Sequence, residues 1–152
     1  MIDTAMHVSA WPDSVVADGG GVALVSVVVT NVSEVIDAYT IEVLGVDPDW
    51  ITTSTDRLSL FPGESQHVDL TIQVPHGYPA ADRPITVTVR SQNDLERFEL
   101  AEVVLSIPPA PVTGITVDPA LVNAGSIAEF GIVVSNTGNT PVRAVGFAVD
   151  PE

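Results

Sequence analysis

Two short stretches, "SVVVTNVSE" at 26–34 and "GIVVSNTGN" at 131–139, are one pattern met twice in 152 residues. In the first, Val25, Val27 and Val29 alternate onto one face ahead of Asn31; in the second, Phe130, Ile132 and Val134 do the same ahead of Asn136. A repeat with a period of about a hundred residues makes each copy one folding unit, because a unit must bury its own apolar face or borrow a neighbour's. The match extends beyond the motif. Gly125 falls on Gly20, and Val149-Asp150-Pro151-Glu152 falls on Val46-Asp47-Pro48-Asp49. The expected organisation is a complete domain over 1–107, a proline-rich joint "PPAPV" over 108–112, and an incomplete second repeat over 113–152. Prolines in the joint favour an extended, semi-rigid spacer. The first strands of a second repeat cannot cover their apolar face alone, so this part is expected to be truncated and weakly stable.

Within the first copy the period is two, the strand period. "VALVSVVVTN" (22–31) reads as a central strand whose second face is partly apolar through Leu24 and Val28. "IDAYTIEVLG" (36–45) places Tyr39, Ile41 and Val43 inward. "DRLSLFPGESQHVDLTIQVP" (56–75) reads as two strands joined at Pro62-Gly63, and Val68, Leu70, Ile72 and Val74 alternate strictly. "HGYPAADRP" reads as a loop, and "ITVTVRS" as a strand with Ile85, Val87 and Val89 inward. Residues 94–107 contain good helix formers, and Asp94 suits a helix cap. The alternation of Phe98 with Leu100, then of Val103 with Leu105 and Ile107, instead favours strand with a bulge near Ala101. About eight short strands separated by turn residues indicate an all-β, immunoglobulin-like Greek-key sandwich.

The charge balance removes several partners. Twenty acidic residues face five arginines and no lysine, a formal net charge of −15. Such a surface repels nucleic-acid backbones and anionic lipid headgroups. Cysteine is absent, so there is neither a disulfide framework nor a thiolate ligand. The N-terminal "MIDTAMHVSAWPDSV" lacks the basic and apolar regions of a signal peptide. The apolar run around 22–29 is too short to span a bilayer, so this segment is not expected to insert in a membrane.

The segment "DWITTSTDRLSLFPGESQHVDLTIQVPHGYPAADRPITVTVRS" resembles bacterial Ig-like repeats of the NEW3 and CARDB type. The matching positions are Trp50, Leu60, Pro62, Gly63, Val68, Pro75, Ile85 and Val87, and Asn-Thr-Gly-Asn at 136–139 is similar to the B–C turn of such repeats. Where those repeats carry glycine in the loop before the F strand, this chain has Ala81-Asp82. The combination through "NTGNTPVRAVGFAVDPE" also resembles the N-terminal region of actinobacterial proteins labelled "hydrolytic protein". The resemblance rests on structural motifs and therefore implies a fold without implying chemistry.

Catalytic signals are sparse. There is no G-x-S-x-G, and only His7, His67 and His76 are available as bases. His67 and Asp69 share one face of a strand, the expected solvent face, opposite Val68 and Leu70. Glu96, Glu99 and Glu102 offer carboxylates but read as a charged outer edge that deters strand-to-strand aggregation. No catalytic residue, cofactor or metal set is expected. For a cation, the residues to examine are Asp47 and Asp49, which flank a proline that limits their convergence and lack the EF-hand spacing. For a ligand they are Trp11, beside Pro12, and Tyr78 in "HGYP", since an aromatic ring can stack on a sugar. Asn31-Val32-Ser33 matches the glycosylation triplet, yet a turn role for Asn31 is preferred because its repeat-equivalent, Asn136, lacks the triplet.

The expected function is non-enzymatic: an Ig-like repeat array that spaces or presents other parts of a larger bacterial protein. Its partners would be other domains of the same chain or another protein, and its place the membrane or cell envelope if it belongs to such a protein, otherwise the cytoplasm. The first alternative is a carbohydrate-associated accessory module; the second is a hydrolase.

Overall fold

The computed structural model describes residues 5–118, 125, 127, 129–143 and 146. The match of Val149 to Glu152 onto Val46 to Asp49 lies outside the described residues. The chain divides into two compact units, Met1–Pro108 and Pro109–Glu152.

Among the described residues of the first unit nine strands form two sheets: β1 (Met6–Trp11), β2 (Ser14–Val16), β3 (Val22–Asn31), β4 (Asp37–Leu44), β5 (Ile51–Thr53), β6 (Arg57–Leu60), β7 (Ser65–Gln73), β8 (Ala81–Ser91) and β9 (Phe98–Ile107). One sheet runs β1-β3-β7-β5 and the other β2-β9-β8-β4-β6. All pairings are antiparallel except the short parallel contact of β2 with β9. There is no α-helix among the described residues; one 3-10 turn, Pro48–Trp50, precedes β5. The protein is all-β, and its two sheets close as a sandwich over a core of Val25, Val27 and Val29, Val68, Leu70 and Ile72, Val87 and Val89, and Leu105.

The alternation in the sequence is what aims these side chains. In β3 the burial alternates residue by residue from Ala23 to Asn31, and in β7 Val68, Leu70 and Ile72 are buried between neighbours that are exposed or, at Thr71, half-buried. Each fully buried aliphatic side chain contributes about 1.5–3 kcal/mol relative to exposure. Tyr39 and Ile41 face inward as the pattern in β4 requires, with Val43 half-buried.

Asn31 ties the sheets together. Its side-chain amide donates to the Val35 carbonyl (2.8 Å) and to the Leu60 carbonyl (3.0 Å), while its Oδ1 accepts from the Ser33 amide (2.9 Å) and hydroxyl (2.7 Å). Its backbone amide donates to Glu64 and its carbonyl accepts from Gly63. A fully buried side chain with this hydrogen-bond set has a turn role, as the sequence favours, and is no accessible glycosylation acceptor. Phe61 to Glu64 form a type II turn, with Pro62 presetting φ and Gly63 at φ +77° in the left-handed region glycine favours. This turn carries the chain from one sheet to the other, so β6 and β7 are not a hairpin.

Three local readings are corrected. There is no bulge near Ala101: β8 and β9 pair without interruption from Ala81↔Ile107 to Arg90↔Phe98. Ala101, Val103, Leu105 and Ile107 therefore form a single inward row, and Phe98 and Leu100 point outward, about half exposed. The helix formers at 94–97 make a tight turn, in which Asp94 Oδ1 accepts from the Glu96 amide (3.1 Å). Ala81 and Asp82 lie within β8, not in a loop. Pro84 is accommodated there because β4 ends its pairing with β8 at Leu44↔Thr86, leaving β8 unaccompanied on that side.

In the second unit β10 (Thr113–Asp118) pairs antiparallel with β11 (Gly131–Asn136). The register Thr113↔Asn136 repeats Met6↔Asn31 of β1 and β3. Asn136 also repeats the local bonding of Asn31: its amide donates to the carbonyl four residues on, Thr140 (2.8 Å), and its Oδ1 accepts from the amide two residues on, Gly138 (3.1 Å). Residues 110–112 are fastened to this turn. Asn139 Oδ1 accepts from the Ala110 amide, the Thr137 amide donates to Val112, and a side chain at Gly138 would collide with the Ala110 carbonyl at 2.4 Å.

Candidate functional site

Asp47 and Asp49 stand at the 3-10 turn before β5. Asp47 caps it, its Oδ1 accepting from the Asp49 amide at 3.0 Å, and both residues are exposed. That carboxylate oxygen is directed at its own backbone, the ordinary Asx geometry of a turn. Among the described residues no group of three or more His, Asp or Glu side chains is placed to hold a metal.

Tyr78 and Trp50 meet between the loop after β7 and the start of β5. Their rings are edge to face, centroids 4.6 Å apart at 87°. The Arg83 guanidinium lies 4.9 Å from the Tyr78 ring centroid. Edge-to-face pairing and the cation on the ring's negative face both stabilise the closure of this end of the sandwich. Trp50 and Tyr78 are half-buried against the core.

Trp11 is placed otherwise. It ends β1 on the outer face of the four-stranded sheet and is 77% exposed. Strand register aligns it with Ser26 on β3 and Asp69 on β7. The adjacent row is Leu24, Thr71 and Thr52. Trp11, Pro12, Leu24, Ser26, Asp69 and Thr71 together line a groove of about 470 Å³. His67, on the same face of β7, places Nδ1 3.4 Å from Ser26 Oγ. No hydrogen bond joins Asp69 to His67 among the described residues, and the sheet face is open to water. Glu96, Glu99 and Glu102 do not share a surface: Glu96 lies in a turn, and Glu99 and Glu102 point to opposite faces of β9.

At the β4 end of the molecule a buried carboxylate organises the loop after β8. Asp37 Oδ2 accepts from the Ser91 hydroxyl (2.5 Å), and Oδ1 accepts from the Ala38 (2.7 Å) and Asn93 (3.1 Å) amides. Burial, reinforced by the Asp37 charge, pushes the neighbouring Tyr39 hydroxyl up to about 12. Sequence reasoning missed Asp37, which occupies an inward position on the otherwise apolar inner face of β4. Its one legible signal is that phase: residue 37 shares the face of Tyr39 and Ile41. Ser26 and Thr71 were missed because their approach to Trp11 depends on pairing between strands distant in sequence.

No family model matches the chain, and no curated protein matches it in sequence. Solved structures do match in fold. A family 123 glycoside hydrolase from Clostridium perfringens, described for glycolipid glycan hydrolysis, superimposes with a TM-score of 0.58 at 10% identity over 68% of this chain. The chain spans 27% of that enzyme. A FixG-related protein from Vibrio parahaemolyticus gives 0.56 at 12% identity, covering 69% of this chain and 98% of that one. The ASH/PapD-like domain 7 of human CEP192 gives 0.50 at 11% identity, covering 68% and 85%. These likenesses show the fold, an Ig-like, PapD-like β-sandwich.

Proposed function

We propose that the chain is a non-enzymatic Ig-like array that spaces or presents other parts of a larger bacterial protein at the membrane or cell envelope. The observation that carries this reading is the recurrence of the β1–β3 pairing in β10–β11, with the same register and the same asparagine turn. A unit repeated in tandem extends a chain by fixed increments and suits a spacer better than a single-site catalyst. The outer sheet faces and strand edges are then the surfaces offered to partners, and the net charge of −15 deters self-association of such an array.

The test is to read the gene past the codon for Glu152 and assay the protein. A frame continuing into counterparts of β5 to β9 and further repeats supports the reading; a frame entering an unrelated fold overturns the array. Turnover of generic ester or glycoside substrates that is lost in His67→Ala overturns the non-enzymatic assignment.

A further inference from the structure

Trp11 is a feature the sandwich does not require. Its indole is left 77% in water, although Trp carries one of the largest apolar surfaces available to a core. Its surroundings are mixed. Across the sheet from it lie the Ser26 hydroxyl and the Asp69 carboxylate, and one row away lie the Thr71 hydroxyl and Leu24, itself 66% exposed. The Ser26 hydroxyl is within 3.4 Å of His67 Nδ1, which holds it on this face.

We propose that this groove binds a neutral oligosaccharide. A pyranose has an apolar C–H face and a rim of hydroxyls, and the groove offers a counterpart to each. The indole supplies a flat surface for the C–H face. The two oxygens of the Asp69 carboxylate accept from sugar hydroxyls, while Ser26 and Thr71 either donate or accept. The Trp11–Ser26–Asp69 row crosses two strand spacings, about 10 Å, which suits a short oligosaccharide better than one sugar.

The same groups select against other occupants. Asp69 and the −15 overall charge repel uronate and sulfated sugars and anionic lipid. A purely apolar protein surface seated on Trp11 and Leu24 would take the Asp69 carboxylate out of water without a donor, whereas the hydroxyl rim of a sugar supplies one. The inference stands independently of the array reading, since it concerns only the outer face of β1, β3 and β7.

The experiment is a titration of the whole chain with laminarin, xylan and mannan, with polygalacturonate as the charged control, read by tryptophan fluorescence and calorimetry. At least one neutral glycan is expected to bind and shift the emission. Trp11→Ala should weaken that binding tenfold or more, Asp69→Asn should weaken it less, and Tyr78→Phe should leave it unchanged. Circular dichroism of each variant confirms the fold, and Trp50 remains as an internal fluorescence reference. No binding by any of the three neutral glycans at millimolar sugar, equal binding by Trp11→Ala, or preferred binding of polygalacturonate would overturn the site. Self-association of the native chain that is lost in Trp11→Ala, seen by light scattering, would also overturn it by making the face a protein interface.

Discussion

The strand pair β1–β3 and the strand pair β10–β11 share a sequence pattern, a register and an asparagine turn, and they differ in everything that depends on a second sheet. On the inward face of the first pair Val27 and Val29 are fully buried, with Val8 and Ala10 packed beside them. On the matching face of the second pair Ile115, Val117, Ile132 and Val134 remain 37–52% exposed. Asn31 has a second amide proton bonded to Leu60, a residue brought in by β6, while Asn136 keeps only the local part of the network among its described hydrogen bonds. Local sequence is thus enough to form the pair and its turn. Burial, which supplies most of the stability, comes from strands far away in the chain.

The largest expected difference is in amide exchange. The amides of 22–31 and 68–73 should exchange orders of magnitude more slowly than those of 113–118 and 131–136, because the former open only with the whole first unit. Equal protection, measured by hydrogen–deuterium exchange, would show that β10–β11 has a completed core and would break the comparison.

The paired substitutions Asn31→Ala and Asn136→Ala sharpen it further. Asn31→Ala leaves the buried Leu60 carbonyl without its side-chain donor and should cost about 1–3 kcal/mol in urea unfolding followed by tryptophan fluorescence. Asn136→Ala, in an exposed turn, should move the first unit's midpoint by less than about 0.5 kcal/mol. A comparable loss from both would mean that the two turns bear equal structural weight.

The smallest effect is confined to alkaline pH. The Tyr39 hydroxyl has an ordinary value of 10 and is raised to about 12 in the fold, chiefly by desolvation. A raised folded value means that the neutral form is favoured, so its contribution is fully present below pH 10 and is lost as pH rises through about 12. The unfolding free energy should decline across that window, and Tyr39→Phe should flatten this part of the decline. A slope unchanged by the substitution would locate the effect elsewhere.

Much of the architecture was legible because sandwich strands obey a two-residue period. Val68, Leu70 and Ile72 could be assigned inward from spacing alone, and Pro62-Gly63 as a turn from its dihedral demands. Residues 94–107 show the limit. Phe98 and Leu100 are apolar and alternate, yet they face water, because the continuous register with β8 places Ala101 in phase with Val103. Apolarity could not reveal the phase; the pairing partner did. The candidate ligand residues divide in the same way. Trp11 and Tyr78 are both aromatics beside proline in the sequence, but Tyr78 is engaged by Trp50 and Arg83, and Trp11 is open.

What the sequence by itself determined is the all-β class, the repeat, the asparagine turns and the face of each regularly alternating strand, since all of these follow from local backbone preference and a period of two. The tertiary structure decided which strands became neighbours. That choice buried Asn31, placed Asp37 beneath the loop after β8 and set Ser26 and Asp69 in line with Trp11, because contacts between residues distant in sequence are fixed by sheet register and packing of the whole core, not by any short stretch of chain.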